Sequence, residues 1–439
     1  MAYFAASLAF LLVGLASMAC GFGLVTTAID APETFAVVHL VVIGWLGLLF
    51  SGALLQFVPV LAATQLRMPW LAVPALACIV TGLLLLVLGF LALGARVDLD
   101  PRLMSMGGLC LALGFGLVIV SLSATLLSQH AVGFSAALVL VGFVSLLATV
   151  LSGNAFAAAL SGAVDLGAFG ARITAVVPVH AAAGVLGWMT LTAIGVSDKL
   201  FGMFLLAPER QGDGRPLVAL AAAAICLVLA ALALSSAAIP GADMAGDLGL
   251  GCAVILVALY GRDVRRMVGT RRRKVLELNS IAGLAAIGFL VAGLALLVAA
   301  QVRGGFPVLG PAAFYLLGLG WLSGLGLAQL YKIVPFLTWL ETYGPVMGRH
   351  PVPRVQDLVN ERRAALWFAA FYGAVGLGAL AIVAGSDLLL RAASVCQTLA
   401  VMALGVEYIR ARRLVYAPEP LRLPPGAVRP HLIHATIKE

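Results

Sequence analysis

The sequence predicts an all-α integral membrane protein of twelve transmembrane helices, laid out as three four-helix arcs in a pseudo-threefold arrangement. Three observations predict it. Of the 439 residues, 62% are hydrophobic and only 10% charged, whereas a soluble domain carries about a quarter charged residues. Apolar runs of membrane-spanning length recur along the whole chain, and a Gly-Trp signature returns at every fourth run. Such a composition excludes soluble nucleotide-binding enzymes, nucleic-acid binders and secreted disulfide scaffolds.

Crossing about 30 Å of hydrocarbon takes roughly 20 apolar residues. Runs of that order lie near 4–28, 34–61, 69–94, 104–128, 132–152 and 169–197, then near 216–238, 246–261, 280–302, 311–340, 365–385 and 387–409. The first lacks the basic start of a secretory signal and reads as a spanning helix. The run at 246–261 is the shortest. Residues 1–409 form one polytopic domain, with arcs at about 4–152, 153–261 and 280–409, and 410–439 form a tail.

Charge fixes the expected orientation. With the N-terminus inside, 21 of the 27 Lys and Arg residues fall on the inner side, including the run from Arg262 to Lys274, as the positive-inside rule requires. Omitting the 246–261 run would put that basic cluster outside, so the charge pattern itself argues for the run. Both termini are then cytoplasmic, in a bacterial inner membrane. The six cysteines, Cys20, Cys78, Cys110, Cys226, Cys252 and Cys396, form no C-x-x-C pair and read as small core residues.

Three runs share a pattern: HLVVIGWLGLLFSGALLQFVPVL from His39, HAAAGVLGWMTLTAIGVSDKLFGMF from His180, and YLLGLGWLSGLGLAQLYKIVPFL from Tyr315. Aligned on Trp45, Trp188 and Trp321, they place Gln56, Lys199 and Lys332 at one offset and Pro59 and Pro335 at another. The three tryptophans stand 143 and then 133 residues apart, four spans each time, so helices 2, 6 and 10 run in one direction. Their many glycines permit close contact around a shared centre.

This arrangement resembles the catalytic subunit of haem-copper oxidases and nitric oxide reductases, and is similar to NnrS-type membrane proteins. The likeness of architecture covers about residues 4–409; at the residue level it is confined to the three Gly-Trp helices. The resemblance implies that His39, on helix 2, matches an axial ligand of the low-spin haem and that His180 matches the copper ligand of helix 6. Departures are as informative. Helix 7, PLVALAAAAICLVLAALALSS, lacks the family's histidine pair, helix 10 offers Tyr315 and no histidine, and Gly184 stands where many oxidases have a tyrosine. The implied protein keeps the scaffold and a haem b or copper site, without a complete terminal oxidase centre.

Read from the residues alone, His39 and His180 are ionisable groups inside spans and therefore candidate site residues. Neutral imidazole suits haem iron and copper alike; hydrogen bonding between helices is the plainer alternative. The two are not repeat copies, since the tryptophan alignment matches His39 with Ala182 and Tyr315. They differ by roughly 160° around their helix axes at 100° per residue. A haem clamped by both therefore requires one helix to turn, and the alternatives are one five-coordinate haem or ligation completed by Tyr315, Met18 or Met189. His130, His350, His431 and His434 read as solvated, Lys199 and Lys332 as reaching the inner interface, and the segment 339–363 as an ordered inner loop.

The expected function is a haem- or metal-binding membrane protein serving electron transfer, gas handling or metal homeostasis, with redox or respiratory proteins as partners or as a homo-oligomer. Two rivals come from other classes. One is a transporter or channel with a polar path along His39, Gln56, His180, Lys199, Gln329 and Lys332. The other is an assembly subunit of a respiratory complex.

Overall fold

The computed structural model describes residues 1–208 and 214–433. Among them are twelve helices long and apolar enough to cross a membrane. They are α1 (Ala2–Ala19), α2 (Pro32–Ala62), α3 (Pro69–Leu93), α4 (Leu103–Leu126), α5 (Phe134–Leu160) and α6 (Phe169–Leu205), followed by α7 (Arg215–Ala237), α8 (Ala242–Gly269), α9 (Leu278–Arg303), α10 (Phe306–Val346), α11 (Glu361–Val383) and α12 (Asp387–Arg412). The short 246–261 run is the middle of α8, whose 28 residues carry the helix on through Arg262 and Arg266. The division expected at 152/153 falls inside α5. Arg210 and His434 lie outside the described residues.

Packing separates inner from outer helices. In α2, α6 and α10 the most apolar stretch is 72%, 61% and 72% buried, against 22–44% in the other nine. The inner three are the Gly-Trp helices, and their glycines explain the burial. A Cβ on Gly44 would stand 2.7 Å from Phe10 of α1, and one on Gly320 2.6 Å from Phe289 of α9. A Cβ on Gly187 would collide with Ser145 of α5. Each glycine immediately precedes its tryptophan, and each presses on a helix four spans from the next.

The inner helices share a second feature. Eight residues of each wind as π-helix: Leu40–Gly47, Ala183–Thr190 and Leu316–Ser323. Each segment starts five residues before its tryptophan. Wider winding frees carbonyls from the i→i+4 ladder, and side chains take them up: Thr190 donates to Val185 O and Ser323 to Gly318 O, both at 2.8 Å, while Ser145 of α5 donates to Ala183 O at 2.9 Å. Pro59, Pro178 and Pro335 interrupt the same helices, each removing a ladder donor.

Around the inner three, α1 packs on α2 and on α12, α4 on α5, and α8 on α9. The ends of the chain thus meet. At the arginine-rich end, where α8, α10 and α12 finish, buried Arg412 pairs with Glu341 at 2.5 Å. Trp339 donates to Pro353 O at 2.6 Å and Tyr343 to Arg422 O at 2.8 Å, so the 344–360 segment and the tail after α12 lie ordered against α10.

The cysteines need correction. All six are free, three of them exposed and none fully buried, so they are not core residues. A span is apolar on every side whether it faces lipid or protein, which is why membership in an apolar run misplaced them.

Candidate functional site

Two histidines lie at the other end of the bundle, just before the π-turns of α2 and α6. His39 closes the α-helical segment Pro32–His39, and His180 stands three residues before Ala183. Both rings are half-buried.

Each ring is held through Nδ1. His39 Nδ1 is 2.7 Å from the carbonyl of Phe35. A carbonyl only accepts, so Nδ1 carries the proton and Nε2 keeps its lone pair. His180 Nδ1 is 2.9 Å from Ser152 Oγ, whose hydroxyl also reaches Ala148 O at 2.8 Å and Thr149 O at 3.2 Å; with the serine proton on either carbonyl, Nδ1–H donates to Oγ and Nε2 is the bare nitrogen. Neither Nε2 has a hydrogen-bond partner among the described residues.

Aromatic neighbours steady both rings. Phe90 of α3 lies 5.2 Å from His39, and Phe156 of α5 lies 5.2 Å from His180, edge to face. Gly153 lets α5 pass close, since a Cβ there would stand 3.2 Å from His180 Cε1. No group of three or more His, Cys, Asp or Glu side chains is gathered among the described residues. A bare ion would therefore find at most two such ligands here.

Tyr315, the helix-10 counterpart of His39, is placed differently. Its hydroxyl accepts from Gln397 Nε2 of α12 at 2.8 Å and occupies the space where a Cβ on Gly378 of α11 would be. It is engaged within α10–α12. Met18 and Met189 are buried, with no contact to either imidazole among the described hydrogen bonds and ring pairs.

Below the histidines lie the three tryptophans. Trp45 Nε1 donates to Ser323 Oγ at 2.9 Å, and Trp321 Nε1 donates to Thr190 Oγ1 at 3.1 Å. Each acceptor sits two residues after a tryptophan. By the same rule Trp188 would donate to residue 47, which is glycine, and the Trp188 N–H is buried without a partner. Phe115 of α4 fills that space, 3.1 Å from where a Gly47 Cβ would be, with its ring edge-on to Trp188 at 5.4 Å. The unlinked pair, α2 with α6, is the pair that carries the histidines.

Deeper still, α2, α6 and α10 enclose a cavity of about 60 Å³. Residues 4, 5, 8 and 12 positions after each tryptophan line it, Ala53, Val196 and Gln329 among them. The polar groups of the rival transport path end in separate places. Gln56 is exposed, Gln329 is buried beside the cavity with its amide unpartnered, and Lys332 reaches Glu277 at 2.5 Å. Sequence reasoning missed the groups that fix the site: Ser152, the Phe35 carbonyl, and the hydroxyls of Thr190 and Ser323. Only the last two left a signal, as hydroxyl residues two positions after the aligned tryptophans.

Compared with models of known protein families and with curated protein sequences, the chain matches none.

Proposed function

We propose that the chain is a haem- or metal-binding integral membrane protein on the scaffold of oxidase subunit I, lacking the binuclear oxygen-reducing centre. One observation carries this reading. Two imidazoles on neighbouring inner helices each engage Nδ1 with a protein oxygen and have no hydrogen-bond partner at Nε2 among the described residues, the arrangement of metal-bound histidines, whose second nitrogen is held by the protein. His39 and His180 would hold the group, while the Phe35 carbonyl and Ser152 keep each ring in its orientation. When bound, a haem would supply one-electron exchange or gas binding. Haem b stands first and copper second, since a macrocycle brings ligands of its own while a bare ion would rest on the two imidazoles.

The three-arc arrangement belongs to the same proposal, with units α1–α4, α5–α8 and α9–α12. Its support is the repeated π-turn, the glycine before each tryptophan pressing on the first helix of its own unit, and the seams α4–α5, α8–α9 and α12–α1. The arginine-rich end is taken as cytoplasmic on charge.

The test is an absorption spectrum with metal analysis of the purified protein, expressed with ample haem, alongside His39→Ala and His180→Ala. We expect a Soret band that one substitution abolishes and the other abolishes or shifts. A colourless, metal-free wild-type protein would overturn the reading.

A further inference from the structure

The cavity enclosed by α2, α6 and α10 lies where the three repeats converge, and its wall departs from their likeness at one position. At the level eight residues after each tryptophan, α2 supplies Ala53 and α6 supplies Val196, while α10 supplies the amide of Gln329. One repeat out of three has placed a strong hydrogen-bonding group beside an otherwise apolar space.

That amide is not served by the protein. Gln329 is 8% exposed, and neither its Oε1 nor its Nε2 has a hydrogen-bond partner among the described residues. The other polar residues of the wall are turned elsewhere. Ser197 shares a 2.7 Å hydrogen bond with Tyr260 of α8. Thr192 Oγ1, itself unpaired, lies toward α5, where a Cβ on Gly142 would stand 2.9 Å from it. An amide buried with both ends unpaired is costly, and folded proteins retain such a group where something other than the chain satisfies it.

Three features define what could do so. The guest presents a donor and an acceptor together, because the amide leaves both a carbonyl and N–H groups open. It is uncharged, because no Lys, Arg, His, Asp or Glu is in the wall and an ion there would have nothing to offset its lost hydration. It is small, since the cavity of about 60 Å³ is the share of roughly two water molecules at ~30 Å³ each.

We propose that this cavity is a binding site for a neutral guest of that size, held at Gln329 by a paired donor and acceptor and supplied either as two linked waters or as one small organic amide. Both sources meet the same chemistry. Linked waters would bridge Nε2 and Oε1 through one another. An amide would close a ring with Gln329 and lay its alkyl end on Ala53 and Val196. The tryptophans separate the site from His39 and His180, so it stands apart from the histidine pair.

The test is solid-state NMR of full-length protein in nanodiscs with isotope-labelled glutamine, the Gln329 side-chain signals being identified by their loss in Gln329→Leu. If the guest is water, we expect a cross-peak from these signals to water protons at short mixing time. If an organic amide is admitted, titration with acetamide should give a saturable shift and remove any water cross-peak. Acetate and methylammonium, similar in size but charged, should give no shift. Ala53→Val, whose added methyls take up the space, should abolish both responses, and Val196→Leu makes the same test from α6. His39→Ala should leave them unchanged. A Gln329 amide that answers to neither water nor acetamide overturns the proposal. So does a response that survives both filling variants, which would put the contact outside the cavity, or one given equally by the charged compounds.

Discussion

Two of the three contacts between inner helices are closed by a tryptophan and a hydroxyl, and the third is not. Trp45 finds Ser323 and Trp321 finds Thr190, whereas Trp188 meets Gly47 and the Phe115 ring. The backbone is alike in all three, π-wound over the same eight positions. What differs is one side chain two residues after each tryptophan. A repeated scaffold can thus be specialised without changing its helices, by withholding one hydroxyl, and it is withheld between the two helices that carry His39 and His180.

The sharpest way to break the comparison is to remove the indole N–H from each tryptophan in turn. Trp→Phe loses volume at all three sites, so the difference between sites isolates the hydrogen bond. We expect Trp45→Phe and Trp321→Phe to destabilise the protein by about 1–3 kcal/mol more than Trp188→Phe, because each strands a buried hydroxyl that had an N–H partner. Ser323→Ala and Thr190→Val should cost a similar amount and should not add to the tryptophan change on the same link. Thermal or denaturant unfolding in detergent measures this. Equal losses at all three tryptophans would mean that the links contribute nothing and that the open contact is not special.

How much of this was legible beforehand follows from which interactions the sequence encodes locally. The spans, the inner position of α2, α6 and α10, and the candidate histidines could be read from apolar length, the Gly-Trp spacing and the rarity of ionisable groups in spans. The π-turns could not, because they depend on whether Gly44, Gly187 and Gly320 are pressed by Phe10, Ser145 and Phe289 from other helices. Nor could the tautomers. The acceptor for His39 is a backbone carbonyl, and that for His180 is Ser152, an unremarkable serine on a different helix. The cavity beside Gln329 was hidden for the opposite reason, since alanines such as Ala53 and Ala193 in an apolar run signal close packing as readily as empty space.

The comparison can also be sharpened by supplying the missing group. Gly47→Ser would give Trp188 the acceptor that Ser323 gives Trp45, but its Cβ would stand 3.1 Å from the Phe115 ring, which must yield. We therefore expect Gly47→Ser alone to be near neutral or mildly destabilising. In a Phe115→Leu background it should recover about 1 kcal/mol, the net worth of one hydrogen bond. Unfolding of the two backgrounds, with and without Gly47→Ser, gives that difference directly. If it is zero or negative in both, the lone N–H of Trp188 is already satisfied by the edge-on Phe115 ring, and the contact is closed in another way.

The smallest effect expected lies at the arginine-rich end, where a fourth tryptophan reports on a loop and not on the core. Trp339 holds Pro353 O, and the same loop is clasped by Arg354 and Asp357, with Nη2 to Oδ1 and the Arg354 amide to Oδ2 both at 2.9 Å. The Arg354 guanidinium beside Asp357 holds its carboxyl below the usual aspartate range, which is about 3.9 when unfolded. A carboxyl depressed in the folded state contributes stability that is full above the unfolded value and fades as pH falls through the lower, folded one. With 5-fluorotryptophan incorporated, the Trp339 resonance should begin to broaden or shift as pH falls from 5 toward 3, while Trp45 and Trp321, linked through groups that do not titrate, stay fixed over the same interval. Asp357→Asn should remove that pH dependence at Trp339. If Trp45 and Trp321 move together with Trp339, the loop is coupled to the inner helices, and the core contacts and the loop clasp can no longer be treated as independent.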